Sequence, residues 1–386
     1  MQFFVKYLVN RDRVQRDCML TVDHGRIVGV EESVPLPDGA AEYAVPGFID
    51  IHTHGGDGCE LMDGSVAALE TMGRFYLRHG TTSFLASTVT ESLPKTEAVL
   101  ATAARFLPEN RRRARRGEMA ECFGIHLEGP WLSRSNLGAQ NPVHCIPPER
   151  SSLEMIDRYA DIIRMVTFSY HTPQSEHLLE RLVESGIVPA CGHDETIDER
   201  ITEGFSRGIR MVTHIYCVTS SFRRVGGKKH LGTLEMALMT DGVGVEVIAD
   251  GKHITKYFWD FILHNKRKED IFVISDSMRC AGLPEDPEKV YKLGDMDVIV
   301  DEGVAWLPDK TAFAGSVATM YGNFRQLIRW GTTLSDAVGM TSWNQARLFG
   351  LKGLGEIGPG SRADLLLLDG ELNIREIVKA GVPVKR

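Results

Sequence analysis

No stretch of the chain approaches the ~20 consecutive apolar residues that a helix needs to cross a bilayer, so the sequence excludes a helix-spanning membrane protein. Paired cysteine spacing is also lacking. The seven cysteines are scattered and odd in number, which argues against a disulfide framework and for a reducing compartment. Nor is there an excess of positive charge. With a formal net charge of -8, the chain lacks the basic surface that general nucleic-acid binding needs to displace counterions. The opening MQFFVKYLVNRDRV has no positive stretch followed by an apolar core and a small-residue cleavage site, so no secretory signal is expected and a cytoplasmic location follows. No internal repeat or low-complexity tract is present.

What remains is ordinary globular usage, 43% hydrophobic and 25% charged over 386 residues. A single core stops growing at about 250–300 residues, so one barrel-sized domain and one smaller piece are expected. Near the start, CMLTVDHGRIVGVEE places alternating apolar positions around a hairpin turn, and near the end LLLLDG and VKAGVPVKR follow the turn-rich GEIGPGSRAD. The two ends should pair into a small β-sandwich domain, residues 1–45 plus 355–386. Between them, over residues 46–354, apolar strand-length runs alternate with helical patterns, the signal of a parallel sheet built from βα units. The runs are VPGFIDIH, TTSFLAS, CFGIHLE, IIRMVTFS, GIVPACG, IRMVTH, GVEVIA and IFVIS. Eight closes a barrel, which makes the expected class α/β with a (β/α)8 TIM-type barrel. Helical spacing of apolar residues marks GSVAALETMGRFYLRHG, SEHLLERLVES, DERITEGFSRG, TKYFWDFILHN, ATMYGNFRQLIRWG and LSDAVGMTS. The run RRRARR reads as a solvated loop.

Acidic and imidazole side chains fall at the C-terminal ends of several of these strands, the face on which barrel active sites are built. His52 and His54 in FIDIHTHGG alternate along a strand, so both can point to the mouth and chelate one ion. Glu128 ends the third run, where a carboxylate can bind or bridge divalent metals. His193 and His214 end the fifth and sixth, and neutral imidazoles are common ligands for zinc or iron. Asp276, ending the eighth, is placed to take a proton from water and pass it to a leaving group. His253 follows the seventh strand and is placed to hydrogen-bond substrate. His126, two residues before Glu128, reads as a satisfied core histidine.

The ordered set HTHGG, HLEGPW, GHDET, VTHIY, IADGKH and ISDSM, with GAQNPVH, AGLP, AGSVATM and the closing GEIGPGSRADLLLLDG, resembles the N-acetylglucosamine-6-phosphate deacetylases of the amidohydrolase superfamily across nearly the whole chain. The resemblance implies that Glu128, His193 and His214 hold the main divalent metal, zinc or iron, and that His52 and His54 offer a second site which Glu128 can bridge, giving one or two ions per chain. It implies Asp276 as acid and base and His253 as a contact to sugar and amide. The reaction implied is hydrolysis of an acetamide to acetate and a free amino sugar phosphate, in a homodimer whose neighbouring subunit contacts the substrate phosphate. Departures gather at substrate recognition. Gln140 stands where the family usually has histidine, and Cys217, followed by Val218, stands at an asparagine position. FRRVGGKKH offers Arg223 or Arg224 for phosphate, because the guanidinium fork suits that group. The alternative substrate is another N-acyl amino sugar, epimeric or unphosphorylated, or a further N-acyl compound. A cyclic-imide or nucleobase hydrolase is disfavoured, since no strand-end lysine is present to bridge two metals.

Overall fold

A computed structural model describes residues 1–385. Eight parallel strands follow one another around its centre: β1 Phe48–Thr53, β2 Thr81–Ser87, β3 Glu121–Glu128, β4 Ile163–Phe168, β5 Val188–Cys191, β6 Met211–Val212, β7 Gly244–Ile248 and β8 Ile271–Ile274. Each coincides with one of the eight apolar runs. Backbone bonds just past the strand ends join last to first: the Asp276 N–H donates to the His52 carbonyl at 2.9 Å and the His54 N–H to the Ser277 carbonyl at 2.9 Å. The architecture is the (β/α)8 barrel expected from the alternation.

The near-continuous apolar character of the strands has a direct cause. In β1, β2, β7 and β8 every residue is buried, because helices cover the outer face and side chains fill the interior. Ile49, Leu85, Met165, Met211 and Phe272 form the barrel floor, closed from below by Phe349. The outer layer is built by helices such as Val66–Arg78, whose first turn is capped by Ser65 Oγ accepting from the Ala68 N–H at 3.1 Å. Its Leu69, Met72 and Tyr76, spaced three and four apart, lie on one face and are buried against the sheet.

The two ends of the chain meet in a seven-stranded sheet, ordered Val382–Pro383, Ile374–Lys379, Leu365–Leu368, Ala41–Pro46, Gln2–Val9, Val14–Asp23 and Arg26–Glu31. The junction is the antiparallel pairing of Leu365–Leu368 with Ala41–Pro46. This sheet has an apolar cluster of its own around Val5, Leu20, Leu365 and Val378.

Two features depart from the sequence expectations. The RRRARR run is not a free loop: Arg111–Ala114 finish the helix Leu93–Ala114, where basic residues favour the negative helix end. A three-stranded antiparallel sheet, Val290–Leu293, Met296–Asp301 and Val304–Trp306, follows β8 and had no counterpart in the reading. Its strands run only three to six residues, too few for their alternating burial to mark them in the sequence. Between β6 and β7 a hairpin, Arg223–Val225 with Lys228–His230, turns through Gly226 and Gly227 at φ of 55° and 82°. Both values lie in the left-handed region that glycine occupies without cost.

Candidate active site

At the C-terminal ends of the barrel strands lies a cavity of about 260 Å³ whose wall includes His54, Glu128, His193, His214, His253 and Asp276. His52 sits directly beneath, fully buried. Four non-glycine wall residues have left-handed backbones: His193 at φ 47°, His214 at 24°, Tyr216 at 71° and Asp276 at 50°. Non-glycine residues rarely adopt this conformation, and its concentration here brings the His193, His214 and Asp276 side chains into one space.

Glu128 is the centre of the cluster. Its Oε1 stands 3.1 Å from His193 Nε2 and 2.9 Å from His214 Nε2. Its Oε2 accepts from Gln140 Nε2 at 2.6 Å and lies 3.6 Å from His54 Nε2. Burial alone would raise this carboxyl, but His52, His193 and His214 hold it well below the ordinary carboxylate range. Asp276 Oδ1 is 3.1 Å from His54 Nε2 and 3.6 Å from His52 Nε2. Burial opposes its ionisation too, yet the imidazoles of His52 and His54 leave its carboxyl lowered. On the far wall, His253 Nδ1 bonds Asp250 Oδ2 at 2.8 Å. The carboxylate fixes the ring and leaves Nε2 for the cavity.

The donor set fits a divalent ion. His52 Nδ1 is taken by Glu246 Oε2 at 2.9 Å, while His52 Nε2 is buried and has no hydrogen-bond partner. That nitrogen is 3.6 Å from both Glu128 and Asp276, too far for a hydrogen bond and suited to a cation between them. Burial disfavours charge on His52, but Glu246, Glu128 and Asp276 together raise its imidazole to about 10. Three buried carboxylates therefore call for positive charge at this point. Two overlapping groups, His52 with Glu128 and His214, and His52 with His54 and Asp276, each have ligand atoms within 4.8 Å of one another.

Other residues named from sequence are placed differently. Cys217 and Val218 line the cavity. Gln140 also lines it, but both ends of its amide are used, one by Glu128 and the other by the Thr90 N–H at 2.7 Å; its direct contact is with the Glu128 carboxylate. Arg223 and Arg224 lie on the hairpin and do not reach the cavity of their own chain, and Arg223 Nη2 donates to the Glu195 carbonyl at 2.7 Å. His126 is the satisfied core histidine expected, bonded to Ser87 Oγ at 3.0 Å and Thr167 Oγ1 at 2.8 Å.

Sequence reasoning missed Glu246. It is fully buried on β7, and its Oε2 holds both His52 Nδ1 and the His214 backbone N–H, the latter at 3.2 Å. The available signal was a lone carboxylate in the middle of GVEVIA. Phe313 and Leu293, which complete the apolar side of the cavity, were missed as well.

An amidohydrolase family model matches residues 43–385. The chain is 30% identical over 358 residues to an N-acetylglucosamine-6-phosphate deacetylase of Lysinibacillus sphaericus, covering 91% of this chain and 87% of the relative. It is 29% identical to an N-acetylgalactosamine-6-phosphate deacetylase of Escherichia coli O157:H7, over 94% of this chain and 93% of that one. Among solved structures, a mutant N-acetyl-D-glucosamine-6-phosphate deacetylase of Mycobacterium smegmatis in complex with N-acetyl-D-glucosamine-6-phosphate superimposes with a TM-score of 0.90 at 29% identity, covering 100% of this chain and 99% of that one. With the same barrel, the same two-ended β domain and relatives aligned over nearly its full length, this chain belongs to the amidohydrolase family, in its N-acetylglucosamine-6-phosphate deacetylase branch.

Proposed function

We propose that the protein is a cytoplasmic, metal-dependent deacetylase that hydrolyses the acetamide of N-acetylglucosamine 6-phosphate to glucosamine 6-phosphate and acetate. The carrying observation is the Asp276 carboxylate, held ionised beside a cluster of Glu128 and four imidazoles at the barrel mouth. Glu128, His193 and His214 would hold the main ion, zinc or iron by donor type, and His52 with His54 a second one. When bound, such an ion polarises an amide carbonyl and lowers the pKa of water toward ~7. Asp276 takes the proton of the attacking water and returns it to the departing amine nitrogen. His253, its ring held by the Asp250 carboxylate through Nδ1, presents Nε2 to the substrate and orients it for attack. Phe313 and Leu293 keep bulk water from the reacting atoms.

Substrate recognition has two parts. Cys217 and Val218 face the sugar from the cavity wall. A 6-phosphate needs a cation, and among the described residues no lysine or arginine lines the cavity. That gap supports a homodimer in which Arg223 or Arg224 of the neighbouring subunit reaches across. Apolar exposure supports the same assembly: Tyr257 is 87%, Phe261 49% and Phe222 51% exposed, and Phe258 packs on Tyr216 of the cavity wall with ring centroids 4.6 Å apart. A second reading, the epimeric N-acetylgalactosamine 6-phosphate, is favoured by Cys217 in the sugar wall and by the Escherichia coli relative of that specificity.

The deciding experiment measures metal per chain and follows acetate release from phosphorylated and unphosphorylated N-acetylhexosamines. Turnover of N-acetylglucosamine 6-phosphate at the highest kcat/KM is expected; no turnover of any 6-phosphate alongside turnover of another substrate sinks the reading. In the same assay Arg223→Ala or Arg224→Ala should raise KM about tenfold or more with little change in kcat, the loss of a charged phosphate contact. Unchanged kinetics for both remove the assignment. Partners that orient a ligand histidine are worth about 10–100-fold in metal affinity, so Glu246→Gln should lose metal to a chelator at correspondingly lower concentration. Equal retention by the variant and the parent would show that Glu246 does not orient His52 for metal.

A further inference from the structure

A second hollow, of about 610 Å³, lies at the opposite end of the barrel. Glu121 borders it and begins β3, whereas Glu128 in the active site ends that strand. At ~3.3 Å per residue the two places are about 23 Å apart. The hollow is bounded by the end of helix Leu93–Ala114, the turn at Arg26 and the segment at Lys352.

Its charges are unbalanced. Helical spacing sorts the RRRARR run into two sets. Arg112 pairs with Glu109, Arg113 with Glu70 and Glu118, and Arg116 with Glu118. Arg111 and Arg115, four residues apart, instead face the hollow with Arg26 and Lys352. The bordering carboxylate, Glu121, is already engaged by Arg362 and stands 3.4 Å from Arg111 Nε. Among the described residues, Arg26, Arg115 and Lys352 have no carboxylate at ion-pair distance. Just behind the wall, Asp364 is shared by Arg362 and the fully buried Lys379. Six cations thus face two carboxylates, in a chain whose net charge is -8. Burial first and the Arg362 charge second pull the Lys379 ammonium down to about 8, against the opposing pull of Asp364 and Glu121. Complementing the helix end explains the sign of Arg111 and of Arg115, its C-cap residue; it does not explain Arg26 and Lys352, which come from other segments.

We propose that this hollow binds a small phosphate-bearing anion between Arg26, Arg111 and Arg115, with Lys352 at the rim, at a site separate from the barrel mouth. Arginine forks present paired N–H donors that match phosphate oxygens. A nucleic-acid strand would need a basic stripe across the surface, whereas these charges are gathered in one hollow.

The test follows the Tm of the metal-loaded protein as chloride is replaced by inorganic phosphate at fixed ionic strength, with glycerol 3-phosphate as a second arm. The parent should show a saturating rise in Tm. Arg26→Gln/Arg115→Gln should need at least tenfold more phosphate for the same rise, with kcat and KM unchanged, because both side chains are exposed and far from the chemistry. A rise with glycerol 3-phosphate only assigns the site to phosphate esters, and a rise with both assigns it to the phosphate group itself. Equal rises in parent and variant, or none in either, overturn the proposal.

Discussion

Asp276→Asn is expected to lower kcat about a thousandfold while the chain keeps its fold and its main metal. Proton transfer by a positioned group is worth about 10²–10⁴ in rate, and asparagine keeps the shape of aspartate but cannot accept and return a proton. The fold should survive for local reasons. Residue 276 has φ 50°, a conformation asparagine adopts as readily as aspartate. Its backbone is held on both sides, the N–H by the His52 carbonyl at 2.9 Å and the carbonyl by the Ser316 N–H at 2.8 Å. The Glu128, His193 and His214 grouping does not use the 276 side chain. The ion held by Glu128, His193 and His214 should therefore stay bound and circular dichroism should match the parent, whereas any second ion beside His52 and His54 should weaken; residual kcat above about one hundredth would refute the proton-transfer role.

Asp364→Ala is expected to destabilise the protein by about 3–5 kcal/mol, the usual cost of removing one partner of a buried ion pair. Asp364 sits where the terminal sheet meets the barrel. Its Oδ2 accepts from Lys379 Nζ at 2.8 Å and Arg362 Nε at 2.9 Å, and its Oδ1 from the Ala380 N–H at 2.7 Å. Arg362 continues to Glu121 and, at 3.1 Å, to Ser83 Oγ on the barrel strands. Without the carboxylate, a fully buried ammonium and a guanidinium lose their shared counter-charge. Acid should reproduce part of this loss in the parent. Burial would raise the Asp364 carboxyl, but Arg362 and Lys379 lower it from 3.8 to about 2. A depressed carboxyl contributes stability that is complete above the unfolded value and is lost as pH falls through the folded one, here between about 4 and 2. The contribution is roughly 2 kcal/mol. Denaturant midpoints should fall by the stated amount in the variant at pH 7, and its acid dependence in that window should be shallower. A change below 1 kcal/mol at pH 7 would show that the network does not hold the two parts together.

Much of this was legible before any coordinates. The eight strands appeared as eight apolar runs because parallel strands covered on both faces must be apolar almost throughout, and IFVIS or GVEVIA cannot be read otherwise in a βα alternation. His52, His54, Glu128, His193, His214 and Asp276 were found because a barrel gathers its strand ends at one mouth, so position in the strand predicts proximity in space. The three-stranded sheet over residues 290–306 was not read from the sequence: its strands are only three to six residues long, so their alternation is too brief to stand out. Gln140 was placed against substrate on its position in the motif; it lines the cavity, and only the fold showed that its amide is also held between Glu128 and Thr90.

The sequence by itself determined the barrel, the terminal β domain and the residue types at the mouth, because these follow from local periodicity and from where polar residues interrupt it. Tertiary structure alone decided three things. It brought Glu246 under His52 and His214, two contacts spanning 194 and 32 residues of chain. Among the described residues it kept lysine and arginine out of the cavity wall, and it assembled the cationic hollow from Arg26, Arg111, Arg115 and Lys352. The reason is common to all three: electrostatic and hydrogen-bond partners are set by distance in space, and residues far apart in the chain become neighbours only when the sheet closes.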